Sequence, residues 1–229
     1  MNERFEPCLS ILPAAQRAIW PALAPIPKLG FVLYSGTAVA LRLGHRASVD
    51  FDFFTDRSLD KNALMVALSF LQRSQFLQDQ PDTLTIDIPG QIGASEHVKI
   101  SFVGSIHFGR YAQPAMTSDG ILQVAALDDL MATTLKVILQ RVEAKDYADI
   151  TAMNKADVAL DRGLAIAQAM YGGHFQPAES LKALTYFEGG DLHTLSNDDK
   201  HTLIEAASAV RQLPRVTQSS RALAISIGH

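Results

Sequence analysis

The segment Val49-Asp50-Phe51-Asp52-Phe53 constrains this chain more than any other. Its strict alternation predicts a β-strand with both carboxylates on one face and both aromatics on the other. Asp is disfavoured in strands and two carboxylates on one face repel, so the pattern is costly unless the charges have a use. On an extended strand the two backbones lie about 7 Å apart and the side-chain tips can converge on one hard cation. Mg2+ prefers oxygen ligands and commonly uses one or two carboxylates plus substrate phosphates, which points to phosphoryl or nucleotidyl transfer. A solvated face of an edge strand is the alternative reading of the same pair.

Upstream, Phe31-Val32-Leu33-Tyr34 is a short apolar run that ends at Ser35-Gly36-Thr37. Ala38, Leu41 and Arg42 then read as a helix stopped by Gly44, giving strand, tight turn, helix. Unpaired N–H groups at such a helix start can receive a phosphate, and small residues let it approach. The same tripeptide also serves as a plain cap with a Gly for geometry. The order of phosphate turn, helix and Asp-x-Asp strand is more specific than either part.

The rest of the chain sets the frame for that constellation. With 229 residues it has room for one large or two small domains, and 48% hydrophobic with 19% charged residues excludes wholesale disorder and a coiled coil. A net charge of -4 excludes indiscriminate coating of nucleic acid, so RNA contact requires a local basic patch. The single cysteine, Cys8, rules out an internal disulfide and a Cys-clustered zinc site, and fits a reducing compartment. The start, MNERFEPCLS, lacks the pattern of a secretory signal, and no run approaches the roughly 18 apolar residues of a spanning helix. The expectation is a soluble, cytoplasmic protein with no membrane partner.

Residues 8–24 have helical spacing that Pro21 ends or kinks, and Asp60 caps a helix running to about residue 75. Thr83–Ile88 and His97–Val103 alternate as two strands of a hairpin joined through PGQIGAS. From Leu127 onward strand signals vanish, and helical patterns cover 128–141, 146–154, 157–171, 177–187 and 198–211. The tail from Arg215 reads as weakly ordered. The expected fold is α+β: a mixed sheet domain over residues 1–126, flanked by helices, then a helical region over 127–229 that completes the cleft.

On the helix over 128–141, Leu130, Met131, Thr134, Leu135, Ile138 and Leu139 form the apolar stripe. That leaves Asp129, Thr133, Lys136 and Gln140 on the opposite side, with Lys136 free to face a cleft or solvent.

The segment YSGTAVALRLGHRASVDFDFF resembles the first motif of nucleotidyltransferases of the AbiEii/AbiGii toxin family, within the DNA polymerase beta superfamily. LDDLMATTLKVILQRVEAKDYADI is similar to the family segment in which a Lys-bearing helix ends in Arg and a Lys-Asp-aromatic-x-Asp sequence follows. The resemblance implies a small mixed sheet flanked by helices, two Mg2+ ions at Asp50 and Asp52, and a nucleoside triphosphate held by Ser35, Gly36 and Thr37. It gives Arg46 and Ser48, in Arg-x-Ser-x-Asp-x-Asp, a role in contacting phosphate or bracing the carboxylates. It gives Lys136 a phosphate-binding and catalytic role, and Asp146 a supporting one. It further implies transfer of a nucleoside monophosphate to an acceptor hydroxyl, on tRNA or other RNA, and a cognate antitoxin. Arg42, His45, Arg46, Lys136 and Arg141 would form the local positive surface for the phosphate backbone.

This sequence departs from the pattern at two places. Where many superfamily members carry a third carboxylate, VKISF offers Ser101, with Asp87 on the preceding strand as the substitute if register permits. About seven residues before Arg141, where Lys is expected, stands Thr134. These departures motivate a rival reading, a catalytically degenerate nucleotide-binding or protein-interaction module of the same fold. A phosphotransferase moving the γ-phosphate is a third. The seven histidines show no metal-ligand spacing, and no serine sits in a recognisable nucleophile elbow.

Overall fold

The computed structural model describes residues 3–89 and 97–226. Eight strands form one mixed sheet in the order β1-β7-β8-β2-β3-β6-β5-β4. They are β1 (Arg4–Phe5), β2 (Val32–Tyr34), β3 (Asp50–Phe54), β4 (Gln75–Gln80), β5 (Thr83–Ile88), β6 (Val98–Val103), β7 (Ala115–Thr117) and β8 (Gln123–Val124). The helices are α1 (Ala14–Ile19), α2 (Ser35–Leu43), α3 (Lys61–Ala67), α4 (Leu127–Val137), α5 (Ala144–Lys155), α6 (Leu160–Tyr171), α7 (Pro177–Ala183) and α8 (Asn197–Ala209). The α+β class and the mixed sheet flanked by helices are as the sequence leads one to expect. All described strands lie between residues 4 and 124, and the helices α4 to α8 follow.

The acidic strand β3 sits at the middle of the sheet, antiparallel to β2 and parallel to β6. Its alternation is realised: Phe51 and Phe53 are fully buried while Asp50, Asp52 and Phe54 are half-buried on the other face. Phe51 stacks on Phe53 at 6.2 Å, Phe53 on Phe102 at 5.5 Å, and Phe31 meets Phe102 edge-on at 5.4 Å. Each buried phenylalanine contributes about 1.5–3 kcal/mol through area removed from water, so this ladder fixes which face of β3 looks inward. The aspartates are therefore held on the outer face by the packing of their neighbours.

Helix α2 begins directly at the end of β2 and stops where Gly44 takes φ 66°, a left-handed C-cap. The predicted helix from residue 60 is shorter than its pattern suggests. Asp60 caps α3 by accepting from the Ala63 N–H at 2.9 Å, but a 3-10 turn over Ser69–Arg73 ends it, and β4 follows as a sheet edge that the sequence reading did not foresee. Every residue of β4 is exposed, so it carries no hydrophobic periodicity to detect. Likewise the apolar spacing over 8–24 resolves into α1 between two 3-10 turns, the second containing Pro21. The β5–β6 hairpin pairs from Thr83 with Val103 to Ile88 with Val98, and most of the PGQIGAS connection lies outside the described residues.

A loop and a tail fold back over the sheet. Asp129 and Thr133, opposite the apolar stripe of α4 by periodicity, are buried as well, and the segment after β6 gives Asp129 the N–H groups of Tyr111 and Ala112. The tail beyond Arg215 is tied down: Arg110 donates to the carbonyls of Ala222 and Ala224, Gln123 exchanges two hydrogen bonds with Ile225, and Leu223 is buried. Among the described residues no helix is long and apolar enough to cross a membrane.

Candidate active site

Asp50 and Asp52 project from one face of β3 beside the first turn of α2. Strand register puts Tyr34 opposite Asp52, so the turn that follows Tyr34 lies against the acidic pair. Ser35 takes φ 64° there, in the left-handed region that non-glycine residues rarely adopt. Its hydroxyl donates to Asp52 Oδ2 at 2.6 Å. Asp50 has no side-chain hydrogen bond or ion pair among the described residues. Burial pushes its carboxyl above the usual range and the charge of Asp52 acts in the same direction, while Lys99, Lys145 and Arg141 pull it down. Three cations thus face the acidic pair, from β6, from the turn after α4 and from the start of α5.

The remaining residues singled out in the sequence fall into two groups. Thr37 and Ser48 are buried, and they brace the turn rather than open onto it. The Thr37 hydroxyl donates to the backbone carbonyl of Asp50 and so accepts from the Ser48 hydroxyl, at 2.6 Å. Arg46 forms a fork with Asp149 of α5, Nε to Oδ1 at 2.6 Å and the guanidinium tip to Oδ2 at 2.7 Å. His45 adds Nε2 to Oδ1 at 2.7 Å, and the Asp149 carboxylate at the centre is 1% exposed. This cluster lies directly on Gly36: a Cβ there would stand 2.1 Å from the Arg46 guanidinium and 2.9 Å from Asp149 Oδ2. The Gly of the turn is therefore required by the ion pair packed against it, which fastens α5 to the start of α2.

Asp146 is held in a second fork, by Arg141 at 2.8 and 2.9 Å, and this bond raises the already high pKa of the guanidinium. Lys145 pairs with Glu143 at 2.7 Å. The Lys136 ammonium donates to the carbonyl of His174 and sits 5.9 Å from the centre of the Tyr171 ring. Arg42 clamps the carbonyls of Ala125 and Val124 and covers Phe5. Of the five cations expected to form that surface, Arg141 is the one that faces the carboxylates. Lys99 and Lys145 join it, and Asp149, which the sequence offers with Lys145 and Asp146 as a salt-bridged helix start, is instead the hub that binds Arg46 and His45. The signal was the spacing of Asp146 and Asp149, which on a helix puts both on one side.

The family model described as nucleotidyl transferase AbiEii toxin, type IV TA system, matches residues 24–213. This chain belongs to that family. The matched span contains the acidic strand, the turn and both ion-pair forks. An uncharacterised protein of Aquifex aeolicus (strain VF5) is 30% identical over 135 residues, which covers 56% of this chain and 62% of that protein. Among solved structures, MenT4, a nucleotidyltransferase toxin of Mycobacterium tuberculosis H37Rv, matches 86% of this chain and 92% of its own with a TM-score of 0.56 and 11% identity. An antigenic nucleotidyltransferase-like protein of Paracoccidioides brasiliensis matches 86% and 94% with a TM-score of 0.55 and 13% identity. At such identities the likeness speaks for the fold.

Asp50 and Asp52 fit a hard cation in number and chemistry, since Mg2+ completes its shell with substrate phosphates and water. Among the described residues no group of three or more His, Cys, Asp or Glu side chains could hold a metal ion. In register, Ser101 stands beside Asp52 and Lys99 beside Asp50. Asp87 lies one strand further out, paired with Lys99, so it does not take the vacant third-carboxylate position.

Proposed function

We propose that this chain is a Mg2+-dependent nucleotidyltransferase that moves a nucleoside monophosphate from a triphosphate to an acceptor hydroxyl on RNA, tRNA included. In this reading it is the toxin of a pair whose partner is a cognate antitoxin. The observation that carries it is the placement of Asp50 and Asp52 on one face of β3, against the first turn of α2 and under Lys99, Arg141 and Lys145.

The two carboxylates would hold the ions, which when bound supply charge stabilisation and lower the pKa of the attacking hydroxyl. The chain's own groups do the rest. Ser35 orients Asp52 through its 2.6 Å hydrogen bond. The N–H groups of the first α2 turn are without intrahelical partners and face the same cleft, where the helix dipole favours a triphosphate. Arg141 and Lys145 extend that positive field, while the Arg46–Asp149 fork keeps the turn fixed against α5. With the chain at net charge -4, only such a local field draws in RNA, and binding should weaken steeply with salt.

Incubation of the protein and Mg2+ with each α-labelled nucleoside triphosphate and a total RNA pool tests this, beside a variant carrying Asp50→Ala and Asp52→Ala. Label entering RNA only with the unmodified protein supports the reading and identifies the donor. Nucleotide binding with no label from any donor favours the degenerate binding module, a rival motivated by Ser101 in place of a third carboxylate and Thr134 in place of a lysine. Label transferred only from the γ-position would make the chain a phosphotransferase.

A further inference from the structure

The outer face of the sheet continues past the acidic pair. Asp50 pairs in register with Lys99 and Lys99 with Asp87, while Asp52 pairs with Ser101 and Ser101 with Thr85. Neither row offers a carboxylate next to the aspartates that could take a proton from an attacking hydroxyl. It offers something else. His97, the residue just before β6, donates from Nδ1 to Asp87 Oδ2 at 2.6 Å. A carboxylate has no proton to give, so Nδ1 carries the hydrogen, and in the neutral imidazole this leaves the lone pair on Nε2. Nε2 has no partner among the described residues, and the His97 side chain is 57% exposed while Asp87 is 18% exposed.

The position of this dyad relative to the acidic strand is fixed by one buried amide. Gln16 donates to the carbonyl of Val49 at 2.8 Å and to that of His97 at 3.3 Å. It thereby clamps the residue before Asp50 to the residue two places before Lys99. The bond to Asp87 places the imidazole on the same face as Asp50, at a diagonal neighbour position, which in a sheet is about 7–8 Å away between backbones.

We propose that His97, oriented by Asp87, is the general base of the reaction and takes the place of the missing third carboxylate. This rests on the nucleotidyltransferase reading above. The acceptor O–H gives its proton to His97 Nε2, and the oxygen forms the new bond to the α-phosphorus. The bond from that phosphorus to the bridging oxygen breaks, and pyrophosphate leaves with the electron pair. Asp87 then faces an imidazolium, which it stabilises. The charged groups around the imidazole are Asp87 on β5, Lys99 on β6 and Asp50 on β3, with the neutral Gln75 of β4 beside Asp87 and the neutral Gln16 of α1 behind.

The test uses His97→Gln and Asp87→Asn in the full chain, with the α-labelled donor and RNA pool, over about pH 5 to 9, and with nucleotide affinity measured separately. His97→Gln should lower turnover by about 100-fold at neutral pH, leave nucleotide affinity unchanged and remove the acidic limb of the rate profile. Nitrogen NMR of the imidazole should show the Nδ1–H tautomer in the unmodified protein and its loss in Asp87→Asn. Turnover and profile unchanged by His97→Gln, or an Nε2–H tautomer in the unmodified protein, would overturn the proposal. Label transfer that needs Asp50 and Asp52 but not His97 sinks this inference alone. Absence of transfer by the unmodified protein, or transfer that survives loss of both aspartates, sinks the nucleotidyltransferase reading and this one with it.

Discussion

Ser35 reaches Asp52 across 2.6 Å from a backbone held at φ 64°. An L-residue pays roughly 1–2 kcal/mol for that left-handed conformation. The hydrogen bond offsets part of this cost, and it occupies one lone pair of a carboxylate that the proposed function assigns to a metal. Two substitutions separate the effects. Ser35→Gly removes both strain and bond, whereas Ser35→Ala removes the bond and keeps the strain. The alanine variant should melt a few degrees below the glycine variant, about 2–4 °C per kcal/mol in a chain of this size. Both should show the same change in Mg2+ affinity by calorimetry. Equal melting temperatures would mean that the φ value carries no strain.

The Arg46–Asp149 fork packs on Gly36 so closely that a methyl group cannot enter without opening it. Gly36→Ala should therefore loosen the tie between α2 and α5 and weaken triphosphate binding while the sheet stays folded. Asp149→Asn attacks the same point from the other side, leaving Arg46 and His45 with a neutral partner. Because the Asp149 carboxylate is almost fully buried, the loss should be about 3 kcal/mol in urea unfolding. Arg46→Lys, which keeps the charge but not the fork, should fall between the two.

Asp129 gives the fold a pH dependence. Burial pushes its carboxyl up to about 7, Asp128 adds to this, and the N–H groups of Tyr111 and Ala112 together with Arg110 act against it. The unfolded value is about 3.9, so between these two values the folded chain holds a proton that the unfolded chain has lost. This contribution to stability is present below about pH 4 and is lost as pH rises through about 7. Asp129→Asn keeps an acceptor for the loop and removes the charge. It should flatten this part of the profile and gain on the order of a few kcal/mol relative to the parent at about pH 8. Parallel urea titrations at several pH values check it; parallel slopes in the two proteins would show that Asp129 does not titrate on folding.

The parts legible in the sequence were those with a strong local period or a recognisable order. The Asp-x-Asp strand, the turn at Ser35 and the five helical patterns after Leu127 carry their own signal, because burial of one face dictates the spacing. What stayed hidden depends on who covers whom. Asp129 and Lys136 lie on the polar side of α4 by periodicity, yet a loop buries the first and the end of α6 engages the second. The edge strand β4 has no buried face, and the tail docks through backbone carbonyls, for which no residue type is diagnostic. At the site, the choice of partner for Arg46 and the proximity of Lys99 to Asp50 follow from sheet register and helix docking, which a single sequence does not specify.

Those same placements decide which lysine should matter most for nucleotide binding. Lys136 spends one of its three N–H donors on the His174 carbonyl and lies near the Tyr171 ring, which restrains its ammonium toward the end of α6. Lys145 and Arg141 already act on the Asp50 carboxyl, and Arg141 also feels Asp52. Arg141 additionally holds Asp146, so its removal mixes a loss of field with a loss of structure; Lys145, paired among the described residues only with the exposed Glu143, is the cleaner probe. Lys145→Ala should therefore weaken Mg2+-nucleotide binding by about tenfold, roughly the 1.4 kcal/mol expected of one partly exposed charge near a phosphate. Lys136→Ala should shift it less than about threefold while lowering thermal stability, through the lost contact with the end of α6. Fluorescent-nucleotide titrations of the two variants, each beside a melting curve, measure the contrast. The opposite order would place the phosphates on the α4 side of the cleft, and would move the triphosphate away from the first turn of α2.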